Sequence, residues 1–512
     1  MTHTLNRRTF ITGGLAATAA AALAACSSPY QAGSSAPLSA RILPADPLVA
    51  AVEARRAATG ATITQKLISG PFDTTVAGQP ITTWGYNNAL NGPVIRATAG
   101  DRLVVPLKNS LPEATSVHWH GLALRNDADG VHGLTQDPIA VGADYSYGFR
   151  LSHPGTYWYH SHFDMQRERA LSGAFIIEDP QEKLSYDQEW VIILDDWMDG
   201  ITGTPEEVVE ELSAGMSGGS MPGMDHGPSG EMPMKHMLMG ARSEYLGGDA
   251  GDVRIPVHLF NGRALSDPEI LASKPGNRIR LRIINAAGDT AYRVGVPDRT
   301  MTITHTDGFP VKEQVVDAVV LGMGERIDAI LTVPNGLTPL IAHPEGKDGV
   351  AYGLVSTSRD TGLNGAALPE LSAGTVVDGS MLKADESVLF EPREPDRVHE
   401  MRLTGSMEKY DWGINGRRFN MDKPFEGAFD IRLNERVQVK VVNDTEMWHP
   451  MHLHGHTFQL ADSGARKDTV IVKPRETVVF EFEADNPGQW LAHCHNAYHA
   501  ERGMMGVFSY IR

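Results

Sequence analysis

The segment ERVQVKVVND, at residues 435–444, alternates valines with charged and polar side chains and then stops at an Asn–Asp pair. Two other segments have the same texture: DRLVVPLKNS begins at residue 101 and NRIRLRIINAA begins at residue 277. Alternation with a period of two indicates a strand with one buried face, and the Gly, Pro, Asn and Asp residues around it indicate turns. Three such stretches at similar spacing predict an all-β protein built from repeated antiparallel β-sandwich domains.

The composition is that of a soluble globular protein with a sizeable core. The chain has 512 residues, of which 41% are hydrophobic and 21% are charged, and this length suits about three domains of ~150 residues. The formal net charge is −18. Nucleic acid is therefore not an expected partner, because binding to phosphates needs a basic surface.

The N-terminus has the layout of an export signal. Residues 6–28 read NRRTFITGGLAATAAAALAACSS, and this apolar run is too short for a permanent membrane span. The Arg7–Arg8 pair and Phe10 resemble a twin-arginine signal, and LAAC resembles a lipobox that would make Cys26 the lipidated first residue of the mature protein. We expect a lipid-anchored protein on the outer side of the cytoplasmic membrane. The alternative is an ordinary signal peptide that is cut nearby.

The remaining chain divides by composition into domains and connecting segments. We expect a signal at 1–26, a tether at 27–57, domains at 58–182, 183–357 and 398–512, and a linker at 358–397. Helical periodicity is confined to short pieces such as 47–58 and TPEEVVEEL. Residues 213–239 hold seven methionines among Gly, Ser and Pro, a composition that predicts a mobile insert.

Four short windows are dense in histidine, and all of them lie in the first and last predicted domains. They are HWHG at 118–121, HSH at 160–162, HPMHLHGH at 449–456 and HCHNAYHAERGMM at 493–505. One His-x-His pair is weak evidence, because alternation on a strand puts both rings on one face for any purpose. Four clusters together predict a metal centre. The middle domain has His258, His305 and His343 but no pair, so we interpret these three as structural.

The spacing around Cys494 indicates two kinds of copper site. In an extended segment His493 and His495 point away from Cys494. Cys494 with His449, His499 and Met504 gives the set of two His, one Cys and a weak thioether that is typical of blue copper. The other histidines of the windows form four His-x-His pairs, and eight imidazoles suit three copper ions bound as three, three and two. These pairs are His118 and His120, His160 and His162, His452 and His454, and His493 and His495.

In order and spacing, these motifs resemble the three-domain multicopper oxidases, the family of laccases, bacterial cuprous oxidases and ferroxidases. The resemblance covers about residues 58–512, and LDDWMDG and the lipobox look most like exported copper-resistance oxidases of actinobacteria. It implies three cupredoxin-like Greek-key domains and four copper ions: one type 1, one type 2 and two type 3. By this resemblance His118 and His452 hold the type 2 ion, His120, His160 and His495 one type 3 ion, and His162, His454 and His493 the other.

The resemblance also implies a reaction. A reductant gives single electrons to the type 1 copper, through the edge of His449, and Cys494 passes them to His493 and His495. Four electrons reduce O₂ to two waters. Asp129 matches a family acid that delivers protons. A second acid is often Glu where this chain has Ala500, so we expect Glu501 to substitute; the alternative for both acids is a carboxylate in a turn.

The expected substrate is inferred from side chains that bind soft metal ions. Thioethers favour Cu(I), and the insert carries Met216, Met221, Met224, Met232, Met234, Met237 and Met239 with His226 and His236. Glu446 and Met447 precede His449 and are candidates for docking Cu(I), although the family acid lies one place earlier, at Thr445. We therefore expect a monomeric enzyme that oxidises Cu(I) with O₂ in copper detoxification. The alternative functions are a laccase-like phenol oxidase, a ferroxidase and a copper-sequestering protein. The alternative for the insert is a low-complexity loop without a ligand role.

Overall fold

The computed structural model describes residues 36–215, 235–358, 368–371 and 374–512. Within these ranges the strands form three β-sandwiches, each built from two sheets. Two-stranded pairing of Arg242–Ser243 with Gly248–Asp249 adds a small hairpin. The all-β prediction is confirmed.

The first sandwich provides two of the histidine windows. One sheet contains Thr62–Thr64, Leu67–Val76, Gln79–Tyr86, Arg102–Asn109 and Asp144–Arg150, and the other contains Ile95–Thr98, Val117–His120, Gly155–Ser161 and Ser172–Glu178. The strands Val117–His120 and Gly155–Ser161 pair antiparallel, with His118 opposite His160. Both windows therefore lie side by side on one sheet.

The second sandwich lies between the other two in sequence. One sheet contains Gln188–Trp197, Val257–Phe260, Arg278–Asn285, Met301–Thr306, Phe309–Val316 and Arg326–Thr332. The other sheet contains Ile270–Ala272, Tyr292–Gly295, Ala318–Leu321, Leu337–Pro344, Ala351–Ser356 and Val376–Asp378. The predicted linker thus contributes a strand, since Val376–Asp378 pairs with Ala318–Leu321. Within the linker predicted over 358–397, this short apolar segment pairs with the edge of the sheet of the second sandwich.

The third sandwich provides the other two windows. One sheet contains Arg397–Thr404, Gly413–Ile414, Arg436–Asn443, Phe458–Leu460, Arg466–Lys467 and Thr477–Glu483, and the other contains Phe429–Ile431, His449–Leu453, Thr469–Val472, Gln489–Cys494 and Met505–Tyr510. In Arg436–Asn443 the alternate residues Val437, Val439 and Val441 are buried, as the alternation predicts.

The sheets are mixed, whereas the sequence pattern predicted antiparallel pairing. Gln188–Trp197 pairs parallel with Arg278–Asn285, and Arg397–Thr404 pairs parallel with Arg436–Asn443. Parallel neighbours need a connection that crosses over. The alternation of buried and exposed side chains does not indicate the relative direction of two strands, because the alternation is the same in parallel and antiparallel pairs.

The predicted tether is folded from residue 36 onwards, so that prediction was wrong for most of its length. The N–H of Ile42 donates to the carbonyl of Tyr510 at 2.9 Å, and that of Arg512 donates to Ala40 at 2.9 Å. The helix Pro47–Glu53 follows, with Asp46 as its N-cap. The edge of the last sheet provides backbone hydrogen bonds for this segment. The small residues of the segment give no sign of these hydrogen bonds in the sequence.

The other helices are short. Pro205–Ser213 begins with a capping box between Thr204 and Glu207, and Ala497–Glu501 begins at the cap Asn496. In the described ranges no helix combines the length and apolarity that a membrane crossing requires.

Candidate metal centre

The third sandwich aligns two of the windows on neighbouring strands. His449–Leu453 pairs antiparallel with Gln489–Cys494, with Met451 opposite Cys494 and His452 opposite His493. Since alternate residues point to opposite faces, Cys494 faces one side of the sheet and His493 the other. The strand therefore separates two clusters, as the spacing predicts.

The first cluster, which we name the mononuclear cluster, comprises His449, Cys494, His499 and Met504. The Sγ atom of Cys494 lies 3.7 Å from Nδ1 of His449 and 3.6 Å from Nδ1 of His499, and these two nitrogens are 3.0 Å apart. The helix capped by Asn496 returns His499 to this side. Met504 is fully buried, and its carbonyl accepts from the N–H of Cys494 at 3.0 Å. Two imidazoles and a thiol converge here as a blue-copper site requires.

The outer nitrogens of the two imidazoles are occupied by protein groups. Nε2 of His499 is hydrogen-bonded to Oδ2 of Asp252 at 2.9 Å, and Nε2 of His449 to Oγ1 of Thr445 at 2.8 Å. Burial opposes protonation of His499, but the carboxylate of Asp252 raises its pKa to about 10 in the metal-free protein. A metal must therefore displace a proton from this ring.

The edge of His449, through which we expect electrons to enter, is covered by protein. His449 and His499 are both fully buried. The ring of Trp412 lies against both, at 5.4 Å and 4.4 Å between centroids. Thr445 and Asp252, which are hydrogen-bonded to the outer nitrogens of the two rings, are themselves buried.

The second cluster, the eight-histidine cluster, contains the four predicted pairs. Its members are His118, His120, His160, His162, His452, His454, His493 and His495, and ligand nitrogens of His118, His120 and His160, of His118, His452 and His454, and of His162, His454 and His493 lie within 4.8 Å of one another. The His495 ring lies 4.9 Å from that of His120 and 5.4 Å from that of His160. The structure thus gathers both triads that the resemblance implies. In the described ranges, none of the candidate metal groups includes His258, His305 or His343.

The free nitrogens of the cluster fit a metal. Nδ1 of His118, His160 and His452 is hydrogen-bonded to the carbonyls of Asp129, Ser161 and Asp468 at 2.9, 2.8 and 2.9 Å. Their Nε2 atoms are buried without a hydrogen-bond partner, as is Nδ1 of His120. Buried polar atoms are otherwise almost always paired, and ligating histidines typically bond to protein through the other nitrogen.

The charge state of these rings also suits metal binding. Burial holds the pKa of His120, His160, His162, His454, His493 and His495 well below the usual range. The neighbouring rings act in the same direction. Neutral imidazoles are the form that binds a transition metal, so the donor set fits copper.

The two predicted acids occupy different places. Asp129 is fully buried, with Oδ2 hydrogen-bonded to Nδ1 of His454 at 2.9 Å and Oδ1 3.3 Å from Nδ1 of His118. Glu501 is exposed at the end of its helix and lines a cavity of ≈ 180 Å³. Asp164 and Ala500 line the same cavity, which reaches His160, His162 and His493. Asp129 therefore contacts the cluster, whereas Glu501 lies on a route towards it.

The two candidate docking residues for Cu(I) in the loop before His449 differ in exposure. Glu446 is exposed and forms an ion pair with Arg475. Met447 is buried in the core of the third sandwich, so its assignment to a surface docking site was wrong. The alternation of exposed and buried residues in this loop left its side chain inside.

The described ends of the Met-rich insert, at 213–215 and 235–239, are folded, so the prediction of a mobile insert was wrong there. Met237 is buried and bridges to Val253, whereas Met239 is 53% exposed. The N–H groups of His236 and Met237 both donate to Oε1 of Glu211, at 2.9 and 2.8 Å. Assigning Met237 to Cu(I) capture was therefore wrong, because its thioether packs in the core. Met216, Met221, Met224, Met232 and Met234 lie outside the described residues.

Several residues that contact the clusters carry no local motif. Asp252 and Arg326 come from the second sandwich, and Asp468 lies on a loop of the third. Arg167 donates to the carbonyl of His495 at 2.8 Å. Only the folding of distant segments brings these groups to the histidines, so no spacing in the sequence could have indicated them.

Comparison with known proteins gives a consistent result along the chain. Family models described as multicopper oxidase match residues 72–182, 188–339 and 392–511. Multicopper oxidase MmcO of Mycobacterium tuberculosis is 41% identical over 510 residues, which cover 99% of this chain and 97% of that protein. A copper resistance protein A homolog of Pseudomonas syringae pv. tomato is 29% identical, with coverage of 86% and 90%.

Solved structures show the same fold. Fet3p, a multicopper oxidase that functions in iron import, superposes with a TM-score of 0.71 at 22% identity and covers 88% of this chain and 90% of its own. A laccase from Botrytis aclada gives a TM-score of 0.70 at 23% identity, with 90% of each chain covered.

Proposed function

The chain belongs to the multicopper oxidase family and is a copper-dependent oxidoreductase, and from this premise we propose that it oxidises Cu(I) with O₂ in copper detoxification. One observation carries the oxidase part: the tripeptide His493–Cys494–His495 joins the mononuclear cluster to the eight-histidine cluster. A group that takes single electrons and a group that can bind three metals are thus connected by covalent bonds.

The proposed cofactor is a set of four copper ions. One ion would be held by His449, Cys494, His499 and Met504, and the eight-histidine cluster would hold three, divided as the family resemblance implies. When bound, copper supplies one-electron transfer at the mononuclear cluster and four-electron reduction of O₂ to water at the eight-histidine cluster.

The protein groups provide the connections and the protons. Cys494 links the two clusters through its own backbone to His493 and His495. Asp129, with Oδ2 at 2.9 Å from Nδ1 of His454, is placed to hold a proton next to the cluster, where proton transfer contributes to the reaction. The cavity lined by Glu501 offers access for water from outside.

The preference for Cu(I) rests on the methionines of the insert. Thioethers bind Cu(I) well, and the described C-terminal end of the insert contacts a segment that reaches the mononuclear cluster. Its C-terminal end packs at Met237 against Val253, which follows Asp252, the residue hydrogen-bonded to His499. The similarity to copper resistance protein A supports the same assignment.

A laccase-like phenol oxidase is the second candidate, since named laccases are among the similar proteins. Complete burial of His449 and His499 disfavours direct contact with a bulky phenol. A ferroxidase and a copper-sequestering protein are further alternatives. The complete donor set of both clusters argues against mere sequestration.

The location is proposed from the N-terminal sequence, which lies outside the described residues. We propose export by a twin-arginine-type signal and anchoring through a lipid on Cys26, with the enzyme acting as a monomer. Native protein should partition with membranes, and Cys26→Ala protein should be soluble or retained as precursor. An unmodified mature N-terminus elsewhere, found by mass spectrometry, would exclude the anchor.

Oxygen uptake tests the substrate. The copper-loaded protein is supplied with Cu(I), Fe(II) or a phenol, and each rate is repeated on protein without added copper. We expect the highest kcat/KM with Cu(I), and no uptake without copper. Rapid phenol oxidation with negligible Cu(I) oxidation would make the protein a laccase instead.

A further inference from the structure

Directly behind the eight-histidine cluster lies a buried ion pair, between Arg326 of the second sandwich and Asp468 of the third. Nη1 of Arg326 donates to Oδ1 of Asp468 at 2.7 Å, and Nη2 donates to Oδ2 at 2.6 Å. Neither side chain has any exposed surface. A bidentate pair of this kind has a fixed geometry as well as a charge.

Every donor of the guanidinium is used. Besides Asp468, Arg326 donates to the carbonyls of Thr156, Gly324 and Asp307 at 3.1, 3.0 and 3.2 Å. These account for its five N–H groups. Because Thr156 lies in the first sandwich and Asp307 in the second, Arg326 connects all three sandwiches at one point.

Asp468 is also hydrogen-bonded to two histidines of the cluster, one through its carboxylate and one through its backbone carbonyl. Its Oδ1 lies 3.0 Å from Nε2 of His120, and Oγ1 of Thr469 donates to the same oxygen at 2.9 Å. The carbonyl of Asp468 is hydrogen-bonded to Nδ1 of His452 at 2.9 Å. One residue therefore contacts rings from both sandwiches that supply the cluster.

His120 differs from its neighbours in which nitrogen is free. His118, His160 and His452 each have an unpaired Nε2, whereas His120 has an unpaired Nδ1. The difference follows from Asp468, which occupies Nε2 of His120. The nitrogen bonded to a carboxylate determines which nitrogen faces a metal.

Two glycines let the backbone pass close to this arrangement. A Cβ atom on Gly121 would overlap Nη2 of Arg326 and Oδ2 of Asp468, and one on Gly324 would lie 2.9 Å from Cε1 of His120. Both glycines have positive φ, +87° and +86°, which favours glycine.

We propose that Arg326 and Asp468 are positioning residues that set the orientation of His120, so that Nδ1 of this ring faces copper. The proposal rests on the proposed function, since it concerns the copper ions of the eight-histidine cluster. Among the described residues, the second sandwich supplies none of the candidate ligands, yet through Arg326 it fixes the ring of a ligand from the first. Its role in the enzyme is thus to set the geometry of the cluster.

The test removes both charges together, because a single deletion would leave an unpaired buried charge. The double variant Arg326→Met with Asp468→Leu is compared with Arg280→Met with Asp328→Leu. Arg280 donates to Asp328 at 2.6 and 3.0 Å, this pair is also buried, and Asp328 accepts from Thr156 at 2.7 Å. The control therefore removes a buried pair at the same domain junction that contacts none of the eight histidines, although Asp328 lies opposite His305 on the neighbouring strand.

We expect the Arg326/Asp468 variant to keep the blue absorption of the mononuclear cluster. Its copper binding at the eight-histidine cluster should weaken about 10- to 100-fold, with altered electron paramagnetic resonance of the type 2 copper and a weakened near-ultraviolet band of the type 3 pair. The control variant should keep all three signals at wild-type intensity. Arg326→Met with Asp468→Asn, which retains an oxygen for Nε2 of His120 and leaves no unpaired guanidinium, should give intermediate copper binding.

Wild-type copper content and spectra in the Arg326/Asp468 variant would overturn the proposal, as would equal losses in the control variant. Copper binding is measured separately from oxygen uptake. If copper-loaded wild-type protein consumed no O₂ with any reductant, the proposed function would fail while the positioning of His120 could still be measured.

Discussion

Asp252 of the second sandwich is hydrogen-bonded through Oδ2 to Nε2 of His499 in the third, at 2.9 Å, and both side chains are fully buried. The hydroxyl of Tyr410 donates to the same carboxylate oxygen at 2.5 Å. A negative charge is thus fixed on the outer side of a ring whose inner nitrogen faces Cys494. This charge stabilises a cation at the mononuclear cluster, and more so in its higher oxidation state.

Replacing Asp252 by Asn should therefore raise the reduction potential of the type 1 copper. The shift equals the difference between the stabilisation that the carboxylate gives to oxidised and to reduced copper, and a difference on the order of 1.4 kcal/mol corresponds to about 59 mV for a one-electron couple. Redox titration of the blue absorption measures the shift. Thr445→Ala provides a comparison, since it removes a neutral contact from His449 and should shift the potential less. A lower potential in Asp252→Asn would contradict this account of the carboxylate.

Cys494→Ser should abolish the blue colour and leave copper bound at the eight-histidine cluster. The thiolate is the source of the intense absorption of a blue-copper site, and Cys494 faces away from the other cluster. Visible absorption and metal analysis check this together. A Cys494→Ser protein that stayed blue would show that the thiolate is not a ligand.

Removing the thioethers of the insert should weaken capture of Cu(I) without changing the copper centres. We propose replacing Met216, Met221, Met224, Met232 and Met234 together by Leu, which keeps chain length and apolar volume. The apparent KM for Cu(I) should rise several-fold with kcat nearly unchanged, because binding before the reaction is what is lost. The type 1 potential should stay the same.

Met237→Leu is the matched control for that experiment. Its side chain is buried against the fold, so it should leave the KM for Cu(I) unchanged. If the five-fold replacement left Cu(I) kinetics untouched while phenol turnover collapsed, the methionines would serve a phenol site instead.

Acid should destabilise the metal-free protein partly through His399. This ring is buried, its Nε2 is hydrogen-bonded to the carbonyl of Asp430 at 3.1 Å, and burial lowers its pKa to about 4. The unfolded chain binds a proton near pH 6.5, so stability is complete above that pH and falls as the pH drops towards 4. The loss amounts to about 3 kcal/mol for this group.

His399→Gln cannot titrate but keeps an N–H for Asp430. Urea unfolding of the metal-free variant between pH 7.5 and 4.5 should therefore show a shallower loss of stability than wild type. The pH dependence, rather than stability at neutral pH, is the informative quantity. Parallel curves for the two proteins would mean that His399 is already charged in the folded state.

Features of the fold and the site could be predicted where they depend on residues close together in the sequence. The opposite orientations of Cys494 and His493 follow from the period of a strand, so the division into two clusters was correct from spacing alone. Asp252 and Asp468 lie 247 and 348 residues from the histidines they bond, His499 and His120. Such contacts depend on how three sandwiches pack, which alternation does not encode.

The burial of individual side chains within loops could not be predicted from the sequence either. Nothing in the local sequence distinguishes Met447 and Met237 from an exposed methionine such as Met239, yet both pack in the core of the third sandwich. The tether was misjudged for the same reason, because its order comes from hydrogen bonds to Tyr510 and from Arg512 rather than from its own composition.

The most direct test of the whole account is the ratio of Cu(I) oxidised to O₂ consumed by the copper-loaded enzyme, with peroxide measured in the same sample. Electrons that enter at the mononuclear cluster and pass through Cys494 to the eight-histidine cluster should reduce O₂ fully to water. We predict four Cu(I) oxidised per O₂ without peroxide, and loss of this activity in Cys494→Ser. A ratio of two with stoichiometric peroxide, unchanged in Cys494→Ser, would contradict the account.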